Sequence, residues 1–337
     1  MDNVERQKFW DTLCSLTGED IEVDASTVKD TIIYPRFLYR FRSVSVSSIE
    51  ALQTNKLYFS KANYYDDPFD TLIKINYDAL HRYTKDLLAS PSLYDRLSTL
   101  SEATGIAEQV WKDSIDQLKQ LDVDVILSRI DAFLKANIQS YLKENMWSIC
   151  FSEGATNEAM WLKYADQYKG FCVIYDLNDE NNKLCGKQEK CKNCVVNSAG
   201  VSLYPVYYSD EGYDATDFAK NLMTAVLASN MFSPEIANKV IASLPNALWQ
   251  QERITLVKSK CHEYDEEWRM LLRNNARGQV MQEWIPYGIA FGLRTSERDR
   301  LIITRSAQVA GIQHFFETFI NDENRLDIRE ITLNAKE

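Results

Sequence analysis

Glycine and histidine are scarce, with 11 glycines and 3 histidines among 337 residues. So little glycine argues against a glycine-cradled nucleotide site, and neither G-x-x-x-x-G-K-[ST] nor the dinucleotide G-x-G-x-x-G fingerprint occurs. His81, His262 and His314 are dispersed, so no Ser-His-Asp or Cys-His order can be read from the chain. A basic excess is missing too. The 49 acidic residues outnumber the 38 basic ones, and the net charge of −11 weighs mildly against tight, sequence-independent binding to a nucleic-acid backbone, though it leaves local contacts open. No uninterrupted apolar run is long enough to span a bilayer. The first twenty residues mix Asp2, Glu5, Arg6, Lys8 and Asp11 with scattered apolar residues, unlike a secretory signal. Seven cysteines, an odd number, point to reduced thiols. The expectation is a soluble, cytoplasmic protein without a membrane partner.

What is present is a core. Hydrophobic residues at 45% mark a folded chain and not a solvated tail, and the length allows one large or two modest domains. A helix is expected from Val4 to Leu16, followed by an acidic loop, and residues 1–34 form an N-terminal helical arm. Strands are expected at Phe37–Arg42 and Leu57–Ser60, separated by a short serine-capped helix. The loop Asn63–Asp70 is rich in Asn, Asp and Pro. Residues 77–145 read as helical, with Ile126, Ile130, Phe133, Leu134, Ile138, Tyr141 and Leu142 at spacings of three and four, and are taken as a helical insertion. Residues 35–76 and 146–337 form the core. Its expected elements are strands at Trp147–Ser152, Phe171–Tyr175 and Leu203–Tyr208, a helix at Asn157–Gln167, helices from Asp214 to Lys258, a helix from Ser296 and a last strand near Arg325–Leu333. Short strands among irregular helices, without regular βαβ alternation, predict an α+β fold with a mixed or antiparallel sheet.

The densest run of chemistry is Tyr264-Asp265-Glu266-Glu267-Trp268-Arg269, ahead of the apolar Met270-Leu271-Leu272. Read as one strand, it places Asp265, Glu267 and Arg269 on one face. Two carboxylates and a guanidinium entering a core are costly to bury, so the run is a site candidate as well as a plain ion pair.

Several pieces together resemble the bacterial domain-of-unknown-function 2971 family. They are Leu38-Tyr39-Arg40-Phe41-Arg42-Ser43; Leu57-Tyr58-Phe59-Ser60 running to Asp67-Pro68-Phe69-Asp70; Cys150-Phe151-Ser152 with Met160-Trp161-Leu162-Lys163-Tyr164-Ala165 and Gly170-Phe171; and Asp265-x-Glu267-Trp268-Arg269. A more distant resemblance is to the ADP-ribosyltransferase plan: a basic residue on the first strand, a serine on a second, then an acid-x-glutamate pair on a third. This resemblance implies an NAD-consuming enzyme that needs no metal and modifies a macromolecular acceptor, either a protein side chain or a nucleic-acid base. Its likeness to toxin-type bacterial enzymes implies a conflict role, such as growth arrest or phage defence, and an inhibitory partner protein. Glu267 would be the catalytic glutamate and Arg40 the strand-borne cation, with Arg42 as substitute. Ser152 would be the motif serine, with Ser60 as its rival.

These residue types suit the chemistry. A carboxylate near the ribose stabilises oxocarbenium-like charge, the role for Glu267. A guanidinium holds pyrophosphate by paired, charge-assisted bonds, the role for Arg40 or Arg42. Tyr39, Ser60, Trp161 and Tyr164 join the NAD-binding set, the last two as stacking partners for nicotinamide. Asp265 would face the acceptor and take its proton. The other reading is a non-catalytic protein-interaction module on the same fold. Two further clusters carry weaker signals. Asp66, Asp67 and Asp70 lack calcium-loop spacing, and their loop is read as substrate-facing beside the cleft. Cys185, Cys191 and Cys194 offer three thiolates, of which Cys191-x(2)-Cys194 is a common half of a zinc site, with Cys172, Cys261 or His262 as a fourth ligand.

Overall fold

The computed structural model describes residues 1–17, 20–89, 109–110, 112–113, 116, 120, 122–179, 201–231, 234–242, 248–272 and 281–333. In chain order the strands begin with β1 (Phe37–Arg42), β2 (Lys56–Tyr58), β3 (Ser60–Lys61), β4 (Ile73–Lys74), β5 (Trp147–Ser152), β6 (Phe171–Asp176), β7 (Val201–Pro205) and β8 (Tyr207–Tyr208). They continue with β9 (Tyr213–Asp214), β10 (Val257–Lys258), β11 (Glu267–Leu272), β12 (Met281–Glu283), β13 (Gly288–Phe291), β14 (His314–Ile320) and β15 (Leu326–Ile331). The fold is α+β, and no helix among the described residues is long and apolar enough to cross a membrane.

The chain divides into two compact units. The first comprises Met1–Asp70, Asn145–Asp210 and Leu256–Glu337; the second comprises Thr71–Glu144 and Glu211–Thr255. Packing therefore draws the boundaries differently from the expected arm, core and insertion: 211–255 groups with the helical segment instead of with the core.

The first unit is built on a sheet that joins nine strands among the described residues, in the order β15-β14-β13-β6-β1-β5-β11-β7, with β3 also paired to β5. The sheet is mixed, because β13 and β14 run parallel while the other pairs are antiparallel. All six residues of β6 are buried, which explains its apolar run from Phe171 to Tyr175: a strand covered on both faces has no solvent side on which to alternate. On one face Cys172 and Ile174 pack with Phe41, Met160, Trp161 and Ala290. On the other, Tyr175 stacks on Trp284 at 5.1 Å, and Phe151 meets both rings edge-on.

The helix Glu158–Tyr164 starts at an Asn157 cap, whose side chain accepts from the Met160 amide. It ends three residues before the expected Gln167, because Asp166, Gln167 and Tyr168 all adopt positive φ. That left-handed run brings Gly170 against β1, where a Cβ would lie 2.1 Å from the Arg42 carbonyl oxygen. Only glycine fits there, and the tight seat fixes the end of the strand that carries Arg40 and Arg42.

Several expected elements are corrected. The acidic loop after the first helix is a second helix, Ile21–Asp30. Asp20 accepts from the Val23 amide at its start, and Ala25, Val28 and Ile32 are buried at spacings of three and four. The strand expected from Leu57 to Ser60 breaks at Phe59, and that from Leu203 to Tyr208 breaks at Val206, whose amide donates to the Glu267 carbonyl at 2.9 Å. The helix expected to reach Lys258 stops at Thr255, and Val257–Lys258 pairs with β8. The expected series also lacked β14.

The second unit is largely helical: Tyr77–Ala89, Val123–Asn145, Thr216–Met231, Pro234–Ala242 and Leu248–Thr255, with β4 and β9 paired in parallel. Ile126, Leu134, Ile138 and Leu142 of the expected stripe are buried, whereas Phe133 and Tyr141 are exposed. His81 Nε2 lies 2.7 Å from Asp131 Oδ1 on its surface.

Candidate functional site

A cavity of about 710 Å³ opens within the first unit, over β1, β5 and β11 and beside the 64–70 loop. The acidic run reaches it by a sharper path than a single strand. Lys260–Asp265 forms a 3-10 helix, Glu266 takes a left-handed φ of 45°, and β11 begins only at Glu267. A non-glycine residue in that region is strained. It is held by hydrogen bonds from the Glu266 amide to Glu263 and from the Glu153 amide to the Glu266 carbonyl. Asp265 therefore lies outside the strand, yet it still meets Glu267 through a third residue.

That residue is Lys258, at the end of β10 and 6% exposed. Its Nζ donates at 2.7 Å to Asp265 Oδ2 and at 2.7 Å to Glu267 Oε2. Arg269, with no exposed surface, donates through Nε to Glu267 Oε1 at 2.6 Å and through its two terminal nitrogens to Asp70 at 3.0 and 2.5 Å. The result is an alternating chain, Asp70–Arg269–Glu267–Lys258–Asp265. Burial pushes the Glu267 carboxyl up, but Arg269 and Lys258 outweigh it and hold the group well below the ordinary carboxylate range. The Glu267 backbone is fixed as well. Its amide donates to Tyr208 Oη at 2.7 Å, and its carbonyl accepts from Arg6 Nη1 at 3.0 Å.

Arg40 and Arg42 line the same cavity. No carboxylate among the described residues pairs with either side chain; Arg36, their neighbour, reaches Asp176 instead. Burial and then repulsion from Arg42 pull the Arg40 guanidinium down to about 9, and burial pulls Arg42 down as well. Both remain cationic at neutral pH.

The structure gathers Tyr39, Arg40, Arg42, Ser60, Tyr164, Asp265 and Glu267 around one cavity. Ser152 pairs in register with Glu267 on one side and with Tyr39 on the other. It is fully buried, its Oγ has no hydrogen-bond partner among the described residues, and it does not line the cavity. Trp161 is a core residue, edge-on to Phe41 at 5.1 Å, with its indole N–H on the Ala155 carbonyl. Cys185, Cys191 and Cys194 lie outside the described residues. Among the described residues no group of three or more His, Cys, Asp or Glu side chains is arranged to hold a metal ion.

Sequence reasoning did not identify Lys258, Arg6 or Tyr208. Lys258 sits in a segment that reads as helix, and Arg6 reaches Glu267 from the N-terminal helix Asn3–Ser15. Neither contact has a local sequence signature. Asp70 stood in the Asp67-Pro68-Phe69-Asp70 motif and its loop, without the partner the structure gives it, Arg269.

Residues 160–270 match a family described as protein of unknown function (DUF2971). The match takes in Lys258, Asp265, Glu267 and Arg269, while Arg40, Arg42 and Asp70 fall outside it. No curated protein and no solved structure matches the chain.

Proposed function

We propose that the first unit is an NAD-consuming, ADP-ribosyltransferase-like enzyme acting on a macromolecular acceptor, with a conflict role in the bacterial cytoplasm. The observation that carries this reading is the pairing, in one cavity, of a carboxylate that Arg269 and Lys258 favour in its ionised form with two guanidinium groups that have no carboxylate partner among the described residues. A dinucleotide supplies complementary parts. Its pyrophosphate gives Arg40 and Arg42 their missing anion through charge-assisted bonds. Its nicotinamide-bearing ribose develops positive charge that Glu267 stabilises. The nicotinamide–ribose bond breaks with its electron pair returning to the ring nitrogen, and an acceptor nucleophile bonds to the ribose carbon, giving up its proton to Asp265. Each carboxylate oxygen of Glu267 has two acceptor positions, so the bonds from Arg269 and Lys258 leave room for a ribose hydroxyl. Ser152 packs behind Glu267 as a positioning residue, and Tyr39, Ser60 and Tyr164 supply cavity wall.

The same two bonds favour a second reading. A carboxylate whose oxygens each already accept from a buried cation also suits a structural ion network, as in a non-catalytic interaction module. Incubating the protein with labelled NAD and a cell extract, beside Glu267→Gln, separates the two. Label transferred by the wild type alone supports the transferase and identifies the acceptor class. Absence of both transfer and nicotinamide release across several extracts, with partner capture unaffected by Glu267→Gln, supports the interaction module.

A further inference from the structure

Both backbone polar groups of Glu267 are held by side chains. Its amide donates to the Tyr208 hydroxyl at 2.7 Å, and its carbonyl accepts from the Val206 amide at 2.9 Å and from Arg6 Nη1 at 3.0 Å. Arg6 is 3% exposed and belongs to the helix Asn3–Ser15. Its Nη1 also donates to the Val206 carbonyl at 2.7 Å, and its guanidinium lies 5.7 and 6.0 Å from the ring centroids of Tyr208 and Trp268. Its Nη2 donates to Glu153 Oε2 at 2.8 Å. Glu153 closes the circuit: its amide donates to the carbonyl of the left-handed Glu266, and its carboxylate also accepts from the Trp268 indole at 3.1 Å. The Glu266 side chain lies against Gly154, where a Cβ would stand 2.9 Å from Oε2. A left-handed non-glycine residue persists only where its surroundings over-determine it, and such residues gather at functional sites. Phe9 and Leu13 already dock the helix with fully buried apolar side chains, so a buried guanidinium, costly to desolvate, is not needed for that purpose.

We propose that Arg6 and Tyr208 are positioning residues that act through Glu267: by fixing the polar groups on either side of its Cα, they set where its carboxylate stands at the cavity wall. The catalytic consequence rests on the NAD reading, whereas the clamp itself is a property of the backbone. Stabilisation of charge on the ribose depends steeply on placement, and a shift of about 1 Å costs roughly 100-fold in rate. Arg40 and Arg42, the anion-binding pair on β1, are not part of the clamp. Its loss should therefore slow the chemistry without loosening the dinucleotide.

Two variants of the full chain separate positioning from stability. Tyr208→Phe keeps the ring and removes the acceptor of the Glu267 amide, while Arg6→Lys keeps a cation but lacks the planar fork that reaches two carbonyls and Glu153 together. Hydrogen exchange read by mass spectrometry should rise roughly tenfold at residues 264–268 of Tyr208→Phe, with 270–272 unchanged. The kcat for nicotinamide release should fall about tenfold in Tyr208→Phe and roughly 100-fold in Arg6→Lys. Affinity for ADP-ribose, measured by calorimetry, should stay within about twofold of the wild type. Unchanged exchange at 264–268, unchanged kcat in an active enzyme, or parallel losses of kcat and ADP-ribose affinity each overturn the positioning role. Should Arg6→Lys fail to fold, Tyr208→Phe carries the test. A wild type that releases no nicotinamide overturns the NAD reading, and exchange alone then supports or overturns the clamp.

Discussion

The two walls of the cavity treat charge in opposite ways. On the β11 wall each charged side chain has an opposite partner: Asp70, Arg269, Glu267, Lys258 and Asp265 alternate in sign with contacts of 2.5–3.0 Å. Three acids against two cations leave Asp265 Oδ1, at the end of the network, without a donor among the described residues. On the β1 wall Arg40 and Arg42 stand together with no carboxylate partner among the described residues. Burial is costly on both walls, but only the first recovers that cost within the protein. The matched wall therefore explains why the fold holds its acids in place, and the unmatched wall points to a ligand. A perturbed charge becomes informative about function when nothing in the protein balances it.

The sharpest way to break this comparison is to unbalance the matched wall. Arg269→Leu strands Asp70 as a buried, unpaired carboxylate and leaves Glu267 with Lys258 alone, and should destabilise the protein by about 3–5 kcal/mol, measured by urea unfolding. Arg40→Ala or Arg42→Ala should have the opposite profile. Removing one of two repelling cations should shift stability by less than about 1 kcal/mol. Affinity for ADP-ribose should fall by about 1.5–3 kcal/mol, roughly 10- to 150-fold, because a charge-assisted bond is lost. If the arginine variants unfold readily while Arg269→Leu is benign, the roles of the two walls are reversed.

How much of this was legible in the chain follows the same division. Strand alternation put Arg40 and Arg42 at β1 positions that both reach the cavity, and set Glu267 and Arg269 on one face of β11, because period two is a local property. The partners that define the network were not legible. Asp70 lies 199 residues from Arg269, and Lys258 comes from a short strand whose pairing with β8 is non-local. The alternation also fails just before Glu267, where a left-handed Glu266 lifts Asp265 out of the strand. Asp265 and Glu267 end up together through the Lys258 side chain, for a reason the pattern did not contain. The helix Ile21–Asp30 was missed because acidic residues near a cap were read as loop composition, when Asp20 satisfies backbone donors at the helix start.

A smaller effect sharpens the matched wall through pH. Glu267's folded pKa lies below its ordinary value of 4.5. Its stabilisation is thus whole above about pH 4.5 and is lost as pH falls toward the depressed folded value. The stability difference between wild type and Glu267→Gln should accordingly be largest near neutrality and shrink below about pH 4. A difference that stays constant from pH 7 to 3 would mean that Lys258 and Arg269 do not hold the carboxylate ionised.

The smallest test concerns Cys150, which pairs in register with Arg269 and lines the cavity. Burial and then the Glu267 charge push its thiol up to about 12, with Arg269 only partly opposing them. Reactivity follows the thiolate, so the Cys150 thiol should resist alkylation at neutral pH. The exposed Cys14 and Cys261 should label first, with peptides assigned by mass spectrometry. Rapid labelling of Cys150 in the folded protein would mean that positive charge dominates its surroundings. The β11 wall would then be unmatched as well, and the contrast with β1 would no longer single out the arginine pair.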